Sequence, residues 1–124
     1  MGFVDWDNIP EERIVDGVRR KMYSSENMTI VMWFWDKGVD LPAHTHPHEQ
    51  FYYLVSGKAV FESAGESRTF DRPGSSWMVL SNVPHSTKYL EDSVTMDFFS
   101  PRREDMIAGV DPYIRKAVKR TVDE

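Results

Sequence analysis

The sequence predicts an all-β protein, a small antiparallel sandwich or barrel followed by a short C-terminal helix. Three observations carry this. About six or seven short β-branched and aromatic runs follow one another. Turn signals separate them roughly every six to twelve residues. No helical pattern alternates with the runs, as the βαβ units of a parallel sheet would require.

Taken in order, "FVDWDNIPEERIVDGVRRKMYSS" (3–25) reads as an irregular or edge-strand entry punctuated by Pro10 and Gly17. "MTIVMWFW" (Met28–Trp35) is a strand ending at the turn Asp36-Lys37-Gly38. Alternate members of Trp33, Phe34 and Trp35 must face opposite sides of it, one set towards the core and the other towards a dimer interface. "EQFYYLVSG" is a strand closed by Gly57. "KAVFES", "AGE" and "SRTF" make a hairpin, and Asp71–Gly74 makes the next turn. "SSWMVLS", "HSTKYL" and "VTMDFF" complete the strands, separated by "NVP" and "EDS". After Phe99, "PRREDMIAG" has room for one helical turn ended by Gly109. "DPYIRKAVKR" is a better helix, with Asp111 as N-cap and Pro112 at the first helical position. The chain thus reads as a single domain over 1–124: an N-terminal arm 1–27, a barrel over about 28–99 and a helical tail 100–124.

Composition narrows the chemistry. The formal net charge is −5 and no basic stripe interleaves with aromatics, which argues against nucleic acid as a partner. The basic cluster Arg115, Lys116, Lys119 and Arg120 reads as a solvated helix face. With no cysteine, any metal site must use nitrogen and oxygen ligands. No apolar run approaches a membrane span and no basic-then-apolar leader opens the chain, so we expect a soluble, cytoplasmic protein without a membrane partner.

Three of the four histidines crowd into "HTHPHEQ" (His44–Gln50). In a strand His44 and His46 send their rings to one face, where two imidazoles can share a divalent ion. Gln50 regains the same parity past the bend at Pro47. The fourth histidine, His85, opens a later strand and brings a third nitrogen across the barrel. Mn, Fe, Co, Ni, Cu or Zn would all suit such a donor set. His48 sits beside Pro47, and a supporting role next to the ligands suits it better than direct ligation. On residues alone, the alternative is that these are ordinary hydrogen-bonded histidines.

The spacing carries a resemblance. Gly38, five residues, His44-Thr45-His46, three residues, Gln50, six residues and Gly57 resembles the first motif of the cupin superfamily, with Gln where that motif usually has Glu. The second motif is matched at Gly74 and His85, while Leu80, Asn82 and Tyr89 replace its Pro, Gly and Asn. The resemblance implies a cupin-type antiparallel jelly-roll barrel, a homodimer, and one divalent transition metal held by His44, His46, Gln50 and His85. A neutral Gln in place of Glu leaves the ion's charge less compensated, which makes it a stronger Lewis acid.

Asp97 and Phe99 share a face of the last strand, and Arg103 follows four residues on. Facing the cavity, Asp97 would move a proton and Arg103 would clamp a substrate carboxylate. Otherwise Asp97 ends the strand at the surface and Arg103 pairs with Glu104 or Asp105. Asp97, Phe99 and Arg103 are similar in spacing to the metal-surrounding residues of small cupins that ketonise 4,5-unsaturated uronates in pectin and alginate breakdown. That resemblance implies a metal-dependent enzyme acting on a small, carboxylate-bearing oxygenated molecule, with Asp97 and Arg103 catalytic. Phe99, Tyr52, His48 and Tyr89 would contact the substrate. The two tyrosines have core packing as their alternative. An iron or manganese dioxygenase on the same barrel is the enzyme rival, and a small-molecule binding module the non-enzyme one.

Overall fold

In the structure, a computed structural model, residues 2–111, 114–115 and 118–120 are described. The strands are β1 (Glu12–Val15), β2 (Val18–Ser24), β3 (Thr29–Trp35), β4 (Val39–His44), β5 (Glu49–Ser56), β6 (Ala59–Ser63), β7 (Glu66–Phe70), β8 (Ser76–Val79), β9 (His85–Tyr89) and β10 (Ser93–Ser100). A helical turn, α1 (Glu104–Ile107), and a short strand, β11 (Lys119–Arg120), follow. They form two antiparallel sheets, ordered β1-β2-β3-β10-β5-β8 and β11-β4-β9-β6-β7.

The strand pattern places the core between the sheets. In β3 the inward set Val31, Trp33 and Trp35 is buried, and Trp35 stacks on Tyr89 of β9 at 4.6 Å. Leu54 of β5 meets Phe61 of β6 and Phe70 of β7 in a second apolar cluster. The β6–β7 hairpin closes through Ala64 and Gly65, both at positive φ, the geometry whose twist suits a two-residue hairpin. Gly57 ends β5 at φ +99°, and a Cβ there would lie 2.2 Å from Ser93 Oγ. Only glycine lets that turn pack against the start of β10.

Three expectations need correction. The sheet starts before residue 28, because β2 pairs with β3 from Val18↔Trp35 to Ser24↔Thr29. Arg19, Arg20 and Lys21 hid this strand by interrupting its apolar pattern. Arg20 nevertheless points inward, fully buried, with both Nη atoms on the Asp111 carboxylate at 3.0 and 3.3 Å. Secondly, Lys119 and Arg120 pair with β4 and do not end a helix. Within the helix expected over 111–120, Ile114 and Arg115 are helical, while Pro112 and residues 113, 116 and 117 lie outside the described residues. Thirdly, β4 stops at His44, so His46 belongs to the connection and not to the same strand. The single turn before Gly109 does form, as α1, and Gly109 at φ +74° ends it.

Candidate metal centre

The histidines meet because two registers and one crossing bring them together. His44, last in β4, is the cross-strand partner of His85, first in β9. Their ring centroids are 4.2 Å apart. After His44 the chain leaves the five-stranded sheet for β5 in the other, and His46 lies on that passage, 4.8 Å from the His85 ring and 5.9 Å from that of His44. Asn82 N–H donates to the His46 carbonyl at 2.9 Å and ties the passage to the loop before β9. One ring nitrogen from each of His44, His46 and His85 lies within 4.8 Å of the other two.

The protonation pattern suits a cation. Each ring donates its Nδ1–H to a backbone carbonyl: His44 to Pro42 at 2.9 Å, His46 to His48 at 3.0 Å, and His85 to Val83 at 2.9 Å. A carbonyl can only accept, so the lone pair of all three imidazoles falls on Nε2, the arrangement that orients histidine ligands. Burial, the neighbouring rings and the Arg103 charge hold His44 down to about 3, and burial, Arg103 and His85 hold His46 down to about 4. Burial also lowers His85. All three are neutral at pH 7, as metal ligands must be.

Two further contacts test the fit. His85 Nε2 is buried without a hydrogen-bond partner. His46 Nε2 faces Gln50 Oε1 at 3.0 Å, and with Nδ1 carrying the proton both atoms are acceptors. Acceptors facing each other at about 3 Å repel unless a shared cation lies beside them, since ligand bonds of ~2.1 Å give such separations. The residues present fit a divalent ion.

The opposite wall comes from the six-stranded sheet. Gln50 of β5 and Phe99 of β10 are cross-strand partners, and Asp97 lies two residues before Phe99 on the same buried face. Asp97 is 4% exposed, which removes the alternative of a surface strand end. Burial pushes its carboxyl up to about 8, against the opposing influence of Gln50, Arg103 and Trp33, and its Oδ1 has no hydrogen-bond partner. The Arg103 guanidinium lies 4.7 Å over the Phe99 ring. It also pairs with Asp105 through Nε–Oδ1 at 2.9 Å and Nη2–Oδ2 at 2.7 Å, so the pairing weighed for it on the residues does occur, but in a buried position.

The remaining expected residues are placed less directly. His48 supports His46 through its backbone carbonyl, and its ring is 6.5 Å from that of Phe99. Tyr52 and Tyr89 are buried, their hydroxyls 3.2 Å apart, and burial raises both. Neither lines the cavity beside the histidines. That cavity holds about 20 Å³ of space for the centre of a water-sized sphere, and Trp33, Trp35, Met106 and Ile114 wall it with His44, Gln50, Asp97 and Phe99. The inward tryptophans follow from strand parity. Met106 and Ile114 were not foreseen, since nothing in their local pattern shows that the segment after β10 folds back over the site.

A metal-type histidine cluster in the end of a two-sheet β fold defines a cupin, and the chain belongs to that family: the Cupin_2 cupin domain model matches residues 31–100. Within the family, it is 33% identical to the pectin degradation protein KdgF of Dickeya dadantii over 108 residues, covering 85% of this chain and 96% of that protein. It is similar to the solved structure of KdgF from a Halomonas species, with a TM-score of 0.79, 31% identity, and coverage of 85% of this chain and 99% of that one. An RmlC-like cupin from Shewanella frigidimarina aligns with a TM-score of 0.80 at 28% identity, covering 86% and 96%.

Proposed function

We propose that this chain is a metal-dependent cupin enzyme that ketonises an unsaturated uronate or a related small sugar acid. The carrying observation is a buried, protonated carboxyl, Asp97, on the wall facing three neutral imidazoles whose lone pairs converge. The likeness to two KdgF proteins, one described as a pectin degradation protein, supports the substrate class. The reading includes a cytoplasmic location and a homodimer. Among the described residues no helix is long and apolar enough to cross a membrane.

His44, His46, Gln50 and His85 would hold one ion of Mn, Fe, Co, Ni, Cu or Zn, which when bound supplies a Lewis acid for a substrate hydroxyl or enol oxygen. The rest is work for the chain's own side chains. Arg103, fixed in plane by Asp105 and stacked on Phe99, offers its charge to the substrate carboxylate. Asp97 keeps its proton at neutral pH and stands ready to deliver it to the carbon end of the enol double bond. The proton gained at carbon is matched by the one lost from the enol hydroxyl, so the tautomerisation consumes no co-reactant. Trp33, Trp35 and Phe99 keep water from the site. Ligand pockets usually span about 300–1,000 Å³. A sugar acid therefore has to displace the side chains of Met106 and Ile114 to enter.

The test adds an unsaturated uronate to metal-restored protein and follows loss of the double bond in the ultraviolet, with an oxygen electrode alongside. We expect turnover without oxygen uptake, and Asp97→Asn should lower kcat by at least about a hundredfold with metal content unchanged. Protein carrying one metal per chain that fails to accelerate the reaction over buffer overturns the proposal, and oxygen consumption transfers the site to the dioxygenase rival.

A further inference from the structure

The cavity beside the histidines has room for about one water, so any larger molecule enters only if a wall moves. Most of the walls are fixed. Trp33, Trp35, Gln50, Asp97 and Phe99 sit on β3, β5 and β10, adjacent strands that are each paired on both edges. The walls on β4 are held by its pairing with β9. Met106 and Ile114 are the exceptions, because they lie on the segment that follows β10.

That segment is anchored at its ends and gripped by side chains between them. At its start the Arg103 N–H donates to Thr29 Oγ1 at 2.9 Å, and further on Lys119 and Arg120 pair with Asp40 and Val39 of β4. The backbone hydrogen bonds around α1 stay within the turn, from Ile107 N–H on the Arg103 carbonyl to Val110 N–H on that of Asp105. Among the described residues, none of the backbone bonds of 104–110 reaches a strand. What holds the middle is Arg20 of β2, fully buried with its guanidinium 5.3 Å over the ring of Trp33. Its Nη atoms donate to the Asp111 carboxylate at 3.0 and 3.3 Å and to the Met106 carbonyl at 3.4 Å. Lifting Met106 from the cavity therefore means releasing one guanidinium.

The charges around that guanidinium allow the release. Glu12 of β1 accepts from Arg20 Nε at 2.8 Å, and Arg115 stands 3.5 Å from the Asp111 carboxylate. When the two sides part, Arg20 stays paired with Glu12 on the barrel and Asp111 leaves with Arg115. The remaining contact across the gap, Arg115 to Glu12 at 3.4 Å, joins partly exposed groups that water can serve instead. No buried charge is left alone, which removes the largest cost of separating a buried ion pair. We propose that the segment carrying α1, Asp111 and Ile114 is a strap over the cavity, that the Arg20–Asp111 pair is its latch, and that Met106 and Ile114 decide what reaches the histidines. This rests on reading the histidine cavity as the binding site, and not on the reaction performed there.

The chain has no cysteine, so a single introduced thiol reports the opening. Met106→Cys is labelled with iodoacetamide in the presence of a chelator, so that no ion takes the sulfur. Its labelling should be at least about a hundredfold faster than that of Leu54→Cys, fully buried in the other core cluster. Below the unfolding midpoint the first rate should hardly change with urea and the second should rise steeply, because only global unfolding exposes much new surface. Ile114→Cys replaces Met106→Cys, and Val31→Cys replaces Leu54→Cys, if circular dichroism shows either to be unfolded. Adding Asp111→Asn to the Met106→Cys chain should speed its labelling by at least about fivefold. The same substitution in the otherwise wild-type chain should speed the stripping of one equivalent of bound Zn²⁺ by a chelator by a similar factor. Equal rates and equal urea slopes at positions 106 and 54 overturn the proposal, since the cover then opens only when the chain unfolds. So does labelling or Zn²⁺ release that Asp111→Asn leaves unchanged. Protein that opens in this way but binds no Zn²⁺ keeps the strap and overturns the metal reading instead.

Discussion

Raising the pH of the metal-free protein from 6.5 to 8 should destabilise the wild-type chain relative to Asp97→Asn. The carboxyl titrates at 3.8 when unfolded and at about 8 in the fold, where burial disfavours its charge. Between those values the folded chain holds a proton that the unfolded chain releases. Its contribution is therefore complete below 3.8, declines through the window and is gone above about 8. Each pH unit inside the window costs about 1.4 kcal/mol. The histidines act in the other direction. His44 and His46, lowered from 6.5 to about 3 and about 4, contribute fully about one pH unit above 6.5 and lose their contribution as the pH falls towards those values. Each still gains roughly 0.4 kcal/mol between 6.5 and 8, in wild type and Asp97→Asn alike, so Asp97 is read from the difference between the two proteins.

From 6.5 to 8 the expected loss relative to Asp97→Asn is about 2 kcal/mol, slightly less as ionisation begins near the upper end. Urea unfolding followed by tryptophan fluorescence, in the presence of a chelator, should show the wild-type midpoint falling by about 1 M relative to that of Asp97→Asn for m-values of ~2 kcal/mol/M. The three histidines oppose this trend, so wild-type stability should peak near neutral pH. Parallel profiles of wild type and Asp97→Asn from 6.5 to 8 would refute the claim that this carboxyl is protonated in the fold.

Gln50→Glu should tighten divalent-metal binding by at least about tenfold in a chelator competition, because it adds a charge beside three neutral imidazoles. It should also slow ketonisation, and unchanged affinity would mean that residue 50 does not face the ion. Asp111→Asn should cost about 1–3 kcal/mol in urea unfolding, since it weakens two charge-assisted hydrogen bonds of the fully buried Arg20 and leaves only the half-exposed Glu12 to balance its charge. The double variant Arg20→Met/Asp111→Leu should recover most of that loss, and a single-variant cost under about 0.5 kcal/mol would show that Glu12 and water carry the charge instead.

Much of the fold was legible because short apolar runs and turn residues are local signals. β3, β5, the β6–β7 hairpin, β9 and β10 all lie where those signals put them. What escaped notice depends on partners far along the chain. β2 carries three basic residues in a row, and the distant Asp111, Glu12 of β1 and the Trp33 face under Arg20 make one of them an interior residue. The His44 and His46 rings do converge, though through a different element from the one expected. Strand parity put both rings on one side, but β4 ends at His44, and His46 reaches the cluster because the chain crosses between sheets there. The sequence likewise held no sign that Met106 and Ile114 close over the cavity, because enclosure is a property of the packed segment and not of its pattern.

The strands that carry Gln50, Asp97 and Phe99 pose a problem of register that the apolar pattern cannot solve. A strand with one wet face is held in place because a one-residue slip would expose its core. β3 is apolar on both faces, and β10 sets Val94, Met96 and Phe98 on its outer face against Ser93, Thr95, Asp97 and Phe99 on its buried one, so apolar burial alone does not fix their register. The buried polar groups supply the missing specification. Trp35 Nε1–H donates to Thr95 Oγ1 at 2.9 Å, diagonally across the β3–β10 pair. Thr29 Oγ1 accepts from the Arg103 backbone at 2.9 Å and shares a hydrogen bond with Ser24 at 2.8 Å. Each would be left unmade in a slipped sheet, at about 1–3 kcal/mol per buried group. The same ladder then sets Asp97 between Val31 and Tyr52, on the central strand of its sheet, where a proton donor is held rigidly. Register fixed by a few interior hydroxyls is thus what turns strands that apolar burial would leave free to slip into one wall of a metal site.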